Sequence, residues 1–188
     1  MHDSRKHSRP LAFSLVLLGM LSRLLPHLPN VTAVGASSLF SGARLRGWQA
    51  FLVPLATMAL TDPILGAMYG FRPFSRMTPF VYAAFALNVC LGRWLRQQAR
   101  PAWIAGAALA ASVQFFLVTN FGVWLVGGGH AYPRTLAGLA TCYVAALPFL
   151  GRTMLGDVGY AAVLFGVHEW LSRRVSPPES VGATARAR

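Results

Sequence analysis

From Ala102 to Gly127 the chain runs 26 residues without one charged side chain. About 20 apolar residues in a helix cross a hydrocarbon core of about 30 Å, so this window is long enough to span a bilayer. Gly47 to Gly70 holds only Asp62, and Thr78 to Gly92 holds no charge. Charged residues make up 12% of the 188 and hydrophobic ones 55%, with a mean hydropathy of +0.49. A soluble domain carries roughly 25% charged residues, about twice this supply. The composition excludes an ordinary cytosolic enzyme, a disordered chain and a fibrous one. It points to an all-α polytopic membrane protein, because a spanning helix satisfies its own backbone.

The remaining windows are shorter or interrupted. Leu11 to Leu25 contains Arg23, Val31 to Ala43 is uncharged but short, and Thr135 to Leu150 is broken by Pro148. Met154 to Ser172 carries Asp157 near its start and His168-Glu169 near its end. Short or proline-interrupted membrane segments often border a binding cavity, where irregular backbone is tolerated. Arg5, Lys6 and Arg9 ahead of the first apolar run resemble a signal peptide, but no small-x-small cleavage site follows. The first run therefore reads as a retained membrane helix.

The net charge is +12, and 16 of the 17 basic residues are Arg. They cluster at the ends of apolar runs, which indicates contact with anionic headgroups and no nucleic-acid partner. With six spans and the N-terminus inside, the cytoplasmic segments collect 12 Lys and Arg against 3 outside, as the positive-inside rule requires. Treating Thr135–Leu150 as a seventh full span puts the Arg-rich C-terminus outside, so that segment reads as a short re-entrant or partial helix on the outer side. The expected fold is a bundle of six transmembrane helices plus that partial helix. Residues 1–10 form a basic cytoplasmic tail, 11–174 a single transmembrane domain and 175–188 a disordered cytoplasmic tail. The expected location is the inner (cytoplasmic) membrane, multi-pass, with both termini cytoplasmic. Trp48, Trp94, Trp103 and Trp170 fall at inner boundaries and read as an aromatic belt.

In this topology the polar residues of the apolar segments gather in the outer half of the bundle. An ionisable group in the bilayer interior costs about 2.5 to 3.5 kcal/mol on the insertion scale, so Asp62 and Asp157 each need a partner or water. Arg23 is the first candidate partner and Arg134 the second. The functional reading is an outward-facing pocket. Tyr82, Trp124 and Tyr132 wall it, and Arg23, His27, Asn30, Asp62, Asn120, Arg134 and Asp157 orient a ligand. Such sites are mostly apolar with a few placed polar groups. The small-residue run Gly106 to Ser112 reads as a close-packing helix face.

Catalytic patterns are sparse. The chain has no Gly-x-Ser-x-Gly, no His-Glu-x-x-His and no Walker A sequence, so it offers no ATPase and no enzyme signature. Cys90 and Cys142 lie in apolar runs without a CxxC, which makes neither a disulfide framework nor a zinc site. Two other classes stay open: an integral membrane enzyme using Asp62, His27 and Asp157 as acid–base groups, and a ligand-free scaffold subunit.

The stretch Arg23-Leu24-Leu25-Pro26-His27-Leu28-Pro29-Asn30-Val31-Thr32-Ala33-Val34-Gly35-Ala36 resembles the opening motif of a family of small bacterial membrane transport proteins. Phe116 to Trp124, Tyr132 to Gly138 and Leu155-Gly156-Asp157 look like its later blocks. That family is similar to the substrate-binding S components of energy-coupling-factor (ECF) vitamin transporters, and among those looks most like the solitary cobalamin type, BtuM. The resemblance implies six helices, cytoplasmic termini and a vitamin-sized pocket open to the outside, with no permanently bound cofactor. It implies a substrate-binding subunit for uptake of a vitamin or cofactor precursor, with cobalamin as the candidate ligand. The partners would be the lipid bilayer and either an ECF-type energising module or none. A cobalt-binding thiol would be needed at the outer pocket, where Cys142 is better placed than Cys90; His27 is the alternative metal ligand. Phe71-Arg72-Pro73-Phe74-Ser75 looks like an insertion at the rim, where it would alter specificity.

Overall fold

The computed structural model describes residues 4–25, 31–97, 100–127 and 129–175. Among them the chain folds into six α-helices: α1 Ser4–Leu21, α2 Val34–Arg44, α3 Gln49–Tyr69, α4 Thr78–Trp94, α5 Pro101–Val126 and α6 Leu136–Val175. Short 3-10 turns follow α1 at Ser22–Leu24 and α4 at Leu95–Gln97. Three helices, α3, α5 and α6, are long and apolar enough to cross a membrane. Their outer faces carry bare hydrophobic side chains; Leu60 is 73% exposed and Leu155 77%. An apolar exterior of this kind matches a lipid surround, not water.

One expected boundary is corrected. Thr135–Leu150 is not a separate re-entrant helix on the outer side. It is the first part of α6, a continuous 40-residue helix that passes through Pro148. A proline removes one N–H and usually ends a soluble helix, but membrane helices tolerate it because neighbours satisfy the freed carbonyl. Within the expected basic tail 1–10, α1 begins at Ser4 and continues through Pro10. The expected tail 175–188 lies outside the described residues except for Val175, which ends α6.

The shortest helix is the hub. α2 packs against each of the other five helices, and every residue from Val34 to Ala43 is buried. Its composition allows this. Small residues let neighbouring backbones approach closely. A Cβ on Gly42 would collide with the Val89 carbonyl, and one on Gly92 with the Leu39 carbonyl, so the α2–α4 crossing admits only glycine at both places. The core around it is built from Val16, Met20, Leu39, Phe40, Met58 and Val89, with Phe40 and Phe165 in edge-to-face contact at 5.0 Å. Pro54 cannot donate to the Ala50 carbonyl one turn earlier in α3; the Ser41 hydroxyl of α2 donates to it instead, at 2.7 Å.

Both ends of α2 are capped by other helices. The N-cap Ala33 has no capping side chain. The Asp157 carboxylate of α6 accepts from the Ala36 backbone N–H in the first turn, and Gly35 leaves room for it, since a Cβ there would strike that carboxylate. At the other end Arg96 donates Nε–H to the Gly42 carbonyl at 3.0 Å and a second N–H to the Leu45 carbonyl. A carboxylate at the N-terminus and a guanidinium at the C-terminus each complement the helix dipole.

Candidate functional site

A cavity of about 510 Å³ opens at the end of the bundle where α1 ends, α2 begins, α3 ends and α4 begins. Its rim is the α3–α4 loop, through Phe71, Arg72, Pro73 and Ser75. This is the segment the sequence singled out as a rim insertion. The walls are Arg23, Asp62, Tyr69, Val81 and Tyr82; Thr32 and Gly35 come from the start of α2. The deeper lining is Met58, Phe85, Asn88, Phe115, Thr153 and Asp157. Phe85 and Phe115 stand ring to ring at 4.8 Å. Asn88 lies about 15 Å along α4 from its first residue.

The first polar group is a network of three helices. Arg23 forms a salt bridge with Asp62 at 2.8 Å and donates to the Thr61 hydroxyl at 3.1 Å. Thr61 in turn donates to the Thr57 carbonyl of its own helix. The Tyr82 hydroxyl donates to the other Asp62 oxygen at 2.7 Å. The expected Arg23–Asp62 pairing is therefore present, with Tyr82 as a third member. Both Asp62 oxygens are engaged.

The second polar group surrounds Asp157. Its Oδ2 accepts from the Ser112 hydroxyl at 2.7 Å, beside the Ala36 N–H already described. No salt bridge to it is found among the described residues. Arg134, the other candidate partner, donates instead to the Leu125 carbonyl at 3.2 Å. Asp157 does not lie near the start of a helix, as the sequence suggested; it sits past the midpoint of α6.

Four expected site residues are placed elsewhere. Trp124 donates its indole N–H to the Pro133 carbonyl at 2.9 Å and, with Arg134, pins the α5–α6 corner. Tyr132 is in the same corner and is not among the lining residues of the large cavity. Asn120 lines a second cavity of about 280 Å³ between α5 and α6, and its amide donates to the Phe116 carbonyl of its own helix at 2.8 Å. His27 and Asn30 lie outside the described residues. The two cysteines are apart from the large cavity's lining: Cys90 is exposed on α4, and Cys142 is buried with its thiol against the Asn120 carbonyl at 3.5 Å.

Two residues that matter here were not singled out. Asn88 is fully buried on α4, and Ser112 is fully buried on α5. Asn88 is the one amide in the uncharged window Thr78–Gly92, a signal that could have found it. Ser112 ends the small-residue run Gly106 to Ser112, whose packing role hides it.

Residues 4–180 match a family of unknown function, DUF6580. The chain belongs to that family. No curated protein and no solved structure matches it. The matched range covers all six helices, the large cavity and both polar groups, so the site belongs to the family's shared region.

The opposite end of the bundle is the arginine end. Arg93 donates to the Gly47 carbonyl at 2.6 Å and stacks over Phe51 at 4.6 Å, and Arg174 stacks over Trp170 at 4.1 Å. Trp94 and Trp103 meet edge to face at 5.1 Å. Arg96 lies outside the apolar helices, and burial beside the neighbouring Arg93 and Arg46 charges holds its guanidinium below the usual arginine range.

Proposed function

We propose that this protein is a membrane-embedded substrate-binding subunit for uptake of a small molecule, a vitamin or cofactor precursor. The observation that carries the reading is the 510 Å³ cavity, into which separate helices bring Arg23, Asp62, Tyr82, Asn88 and Asp157. Cavities of about 300 to 1,000 Å³ with apolar walls and a few convergent polar groups are typical of small-molecule sites. The enzyme alternative is less well supported, because both oxygens of Asp62 are held by Arg23 and Tyr82. The scaffold alternative accounts for Asp62 and Asp157 as joining and capping groups but leaves the cavity and the unpartnered Asn88 Nδ2 unused.

In this reading the whole six-helix bundle sits in the bilayer, with α2 enclosed by its neighbours and the other helices facing lipid. The arginine end is cytoplasmic, the cavity opens outward, and both termini are cytoplasmic in the inner membrane. A cytoplasm-only fluorescent reporter fused after Arg188 is expected to be bright; a dark fusion overturns the orientation. An ECF-like partnership with an energising module remains part of the proposal; cobalamin, the ligand the resemblance implies, is the competing occupant of the cavity. Among the described residues the lining of the large cavity includes neither Cys nor His; His27, the alternative metal ligand, lies outside them. Mass spectrometry of compounds retained by the protein purified in mild detergent tests the reading. A chemically unaltered small molecule, displaced by excess of itself in uptake assays, is the expected result. A turned-over product points to the enzyme reading, and an empty cavity in every preparation to the scaffold.

A further inference from the structure

Resting on the uptake reading above, we infer that the deep part of the large cavity selects a planar aromatic compound with a cationic, hydrogen-bond-donating edge, such as an amidine or a protonated heteroaromatic amine, and that Asp157 is its counter-charge.

Asp157 lines the cavity and is only 4% exposed. It has no cationic partner among the described residues, since Arg23 is committed to Asp62. An ionised carboxylate has about four acceptor positions, and Ser112 and the Ala36 N–H use two of them. The N-terminus of α2 offsets part of the charge, and a ligand cation supplies the remainder.

Asn88 is an independent second observation. Its Oδ1 accepts from Gln114 Nε2 at 2.6 Å, and the same Gln114 amide donates to the Ala84 carbonyl at 2.7 Å. These two bonds fix which way the Asn88 amide faces. Its Nδ2 then has no hydrogen-bond partner among the described residues, although the side chain is fully buried and lines the same cavity. A buried donor without an acceptor is rare in folded proteins, and a ligand acceptor at this depth satisfies it. The paired rings of Phe85 and Phe115 line the same cavity, a surface suited to a flat ring, and one that also attracts a cation. A ligand with a donating cationic edge for Asp157, an acceptor for Asn88 and a flat face for the two rings meets all three observations. Asp62 does not compete for the cation, because both its oxygens are already engaged.

Benzamidine and its neutral isostere benzamide test this on the purified full-length chain in mild detergent, with the melting temperature of the empty protein measured on the same preparation. Benzamidine is expected to bind about 10-fold or more tighter than benzamide, the value of a charge-assisted hydrogen bond. Asp157→Asn keeps an acceptor oxygen for α2 and is expected to erase that preference. Benzamidinium carries no acceptor for Asn88 Nδ2, so Asn88→Ala is expected to leave its affinity unchanged, and the probe pair reads the Asp157 contact alone. Equal binding of the two probes overturns the inference while leaving the cavity a binding site. So does an Asp157→Asn protein that melts lower yet prefers benzamidine as before, since Asp157 then only caps α2. If benzamidine fails to bind at millimolar concentration and a neutral compound is retained on purification, the inference alone falls. If no compound is retained and neither probe binds, the uptake reading falls with it. The probe comparison is made on the unaltered chain, so it decides the matter even where a variant fails to fold.

Discussion

The two ends of α2 meet the same physical problem in opposite ways. At its C-terminus the free carbonyls of Gly42 and Leu45 are covered by Arg96, a long side chain reaching in from the 3-10 turn after α4. The region is closed further by Arg93 over Phe51 and by the Trp94–Trp103 pair. At its N-terminus the cap is Asp157, a short side chain that must be carried into the bundle on α6. An arginine can leave its stem among apolar groups while its head stays near the boundary, so capping from there is cheap. A carboxylate has no such reach, and its delivery brings a buried charge with it. Among the described residues the arginine end is therefore covered by side chains reaching in from the boundary, while the aspartate end keeps a cavity lined by polar groups from several helices. The contrast separates residues that hold the fold from residues available to a ligand.

The largest expected effect lies at the open end, in the bond that joins its helices. Arg23→Ala strands Asp62, and Asp62→Ala strands Arg23; removing one partner of a buried pair costs about 3 to 5 kcal/mol. The lower figure is the better expectation here, because the two side chains are still 16% and 11% exposed. Tyr82 also remains to hydrogen-bond Asp62 in the first variant. The double variant is expected to be milder than the sum of the singles. Thermal melts of the four proteins complete the cycle, and strict additivity would show that the pair is not coupled.

At the arginine end Arg96→Gln shortens the cap and leaves the Gly42 and Leu45 carbonyls to find other donors. The expected loss is about 1.5 to 3 kcal/mol of stability, the range for a hydrogen bond to a charged group. Retained ligand and probe affinity should be unchanged in the folded fraction. A fall in affinity without a fall in melting temperature would break the division between the two ends, because the arginine end would then communicate with the cavity.

Much of this contrast was legible in the sequence, and what was missed has a common cause. Long windows with at most one charge match α3 and α5 nearly whole, since apolar length alone specifies such helices. The Arg23–Asp62 pair was legible because two charges in apolar surroundings need each other. The role of α2 was not. Its 11 residues are too short to span, and Ser37, Ser38 and Ser41 make it look polar, yet it is buried on all sides. Burial of that kind depends on five neighbours and leaves no periodic stripe. Asn88 and Ser112 were missed because depth was judged from the ends of apolar windows, whereas they sit mid-window and matter through partners on other helices. Trp124 and Arg134 were overvalued for the complementary reason. A corner between two helices has its own carbonyls to satisfy, and both side chains serve it.

The smallest expected effect concerns Asn120, which the sequence placed beside the other orienting groups. Its amide donates to the Phe116 carbonyl one turn earlier, a carbonyl that an intact helix already satisfies, so the bond is a supplement. It faces a separate cavity of about 280 Å³ whose wall includes Phe116, Ala146, Phe149 and Leu150. Leucine has a similar volume, a better helix propensity by a few tenths of a kcal/mol, and no amide to desolvate. Asn120→Leu is therefore expected to change stability by less than about 0.5 kcal/mol, on the side of a gain, since it removes no bond that another helix depends on. Affinity at the large cavity should stay the same, because Asn120 is not among its lining residues. The two cavities do share Phe115 and Thr153, so the result is not trivial. A several-fold loss of benzamidine or native-ligand affinity with an unchanged melting temperature would show that the ligand reaches through that shared wall, and the binding site would then have to be redrawn to include both spaces.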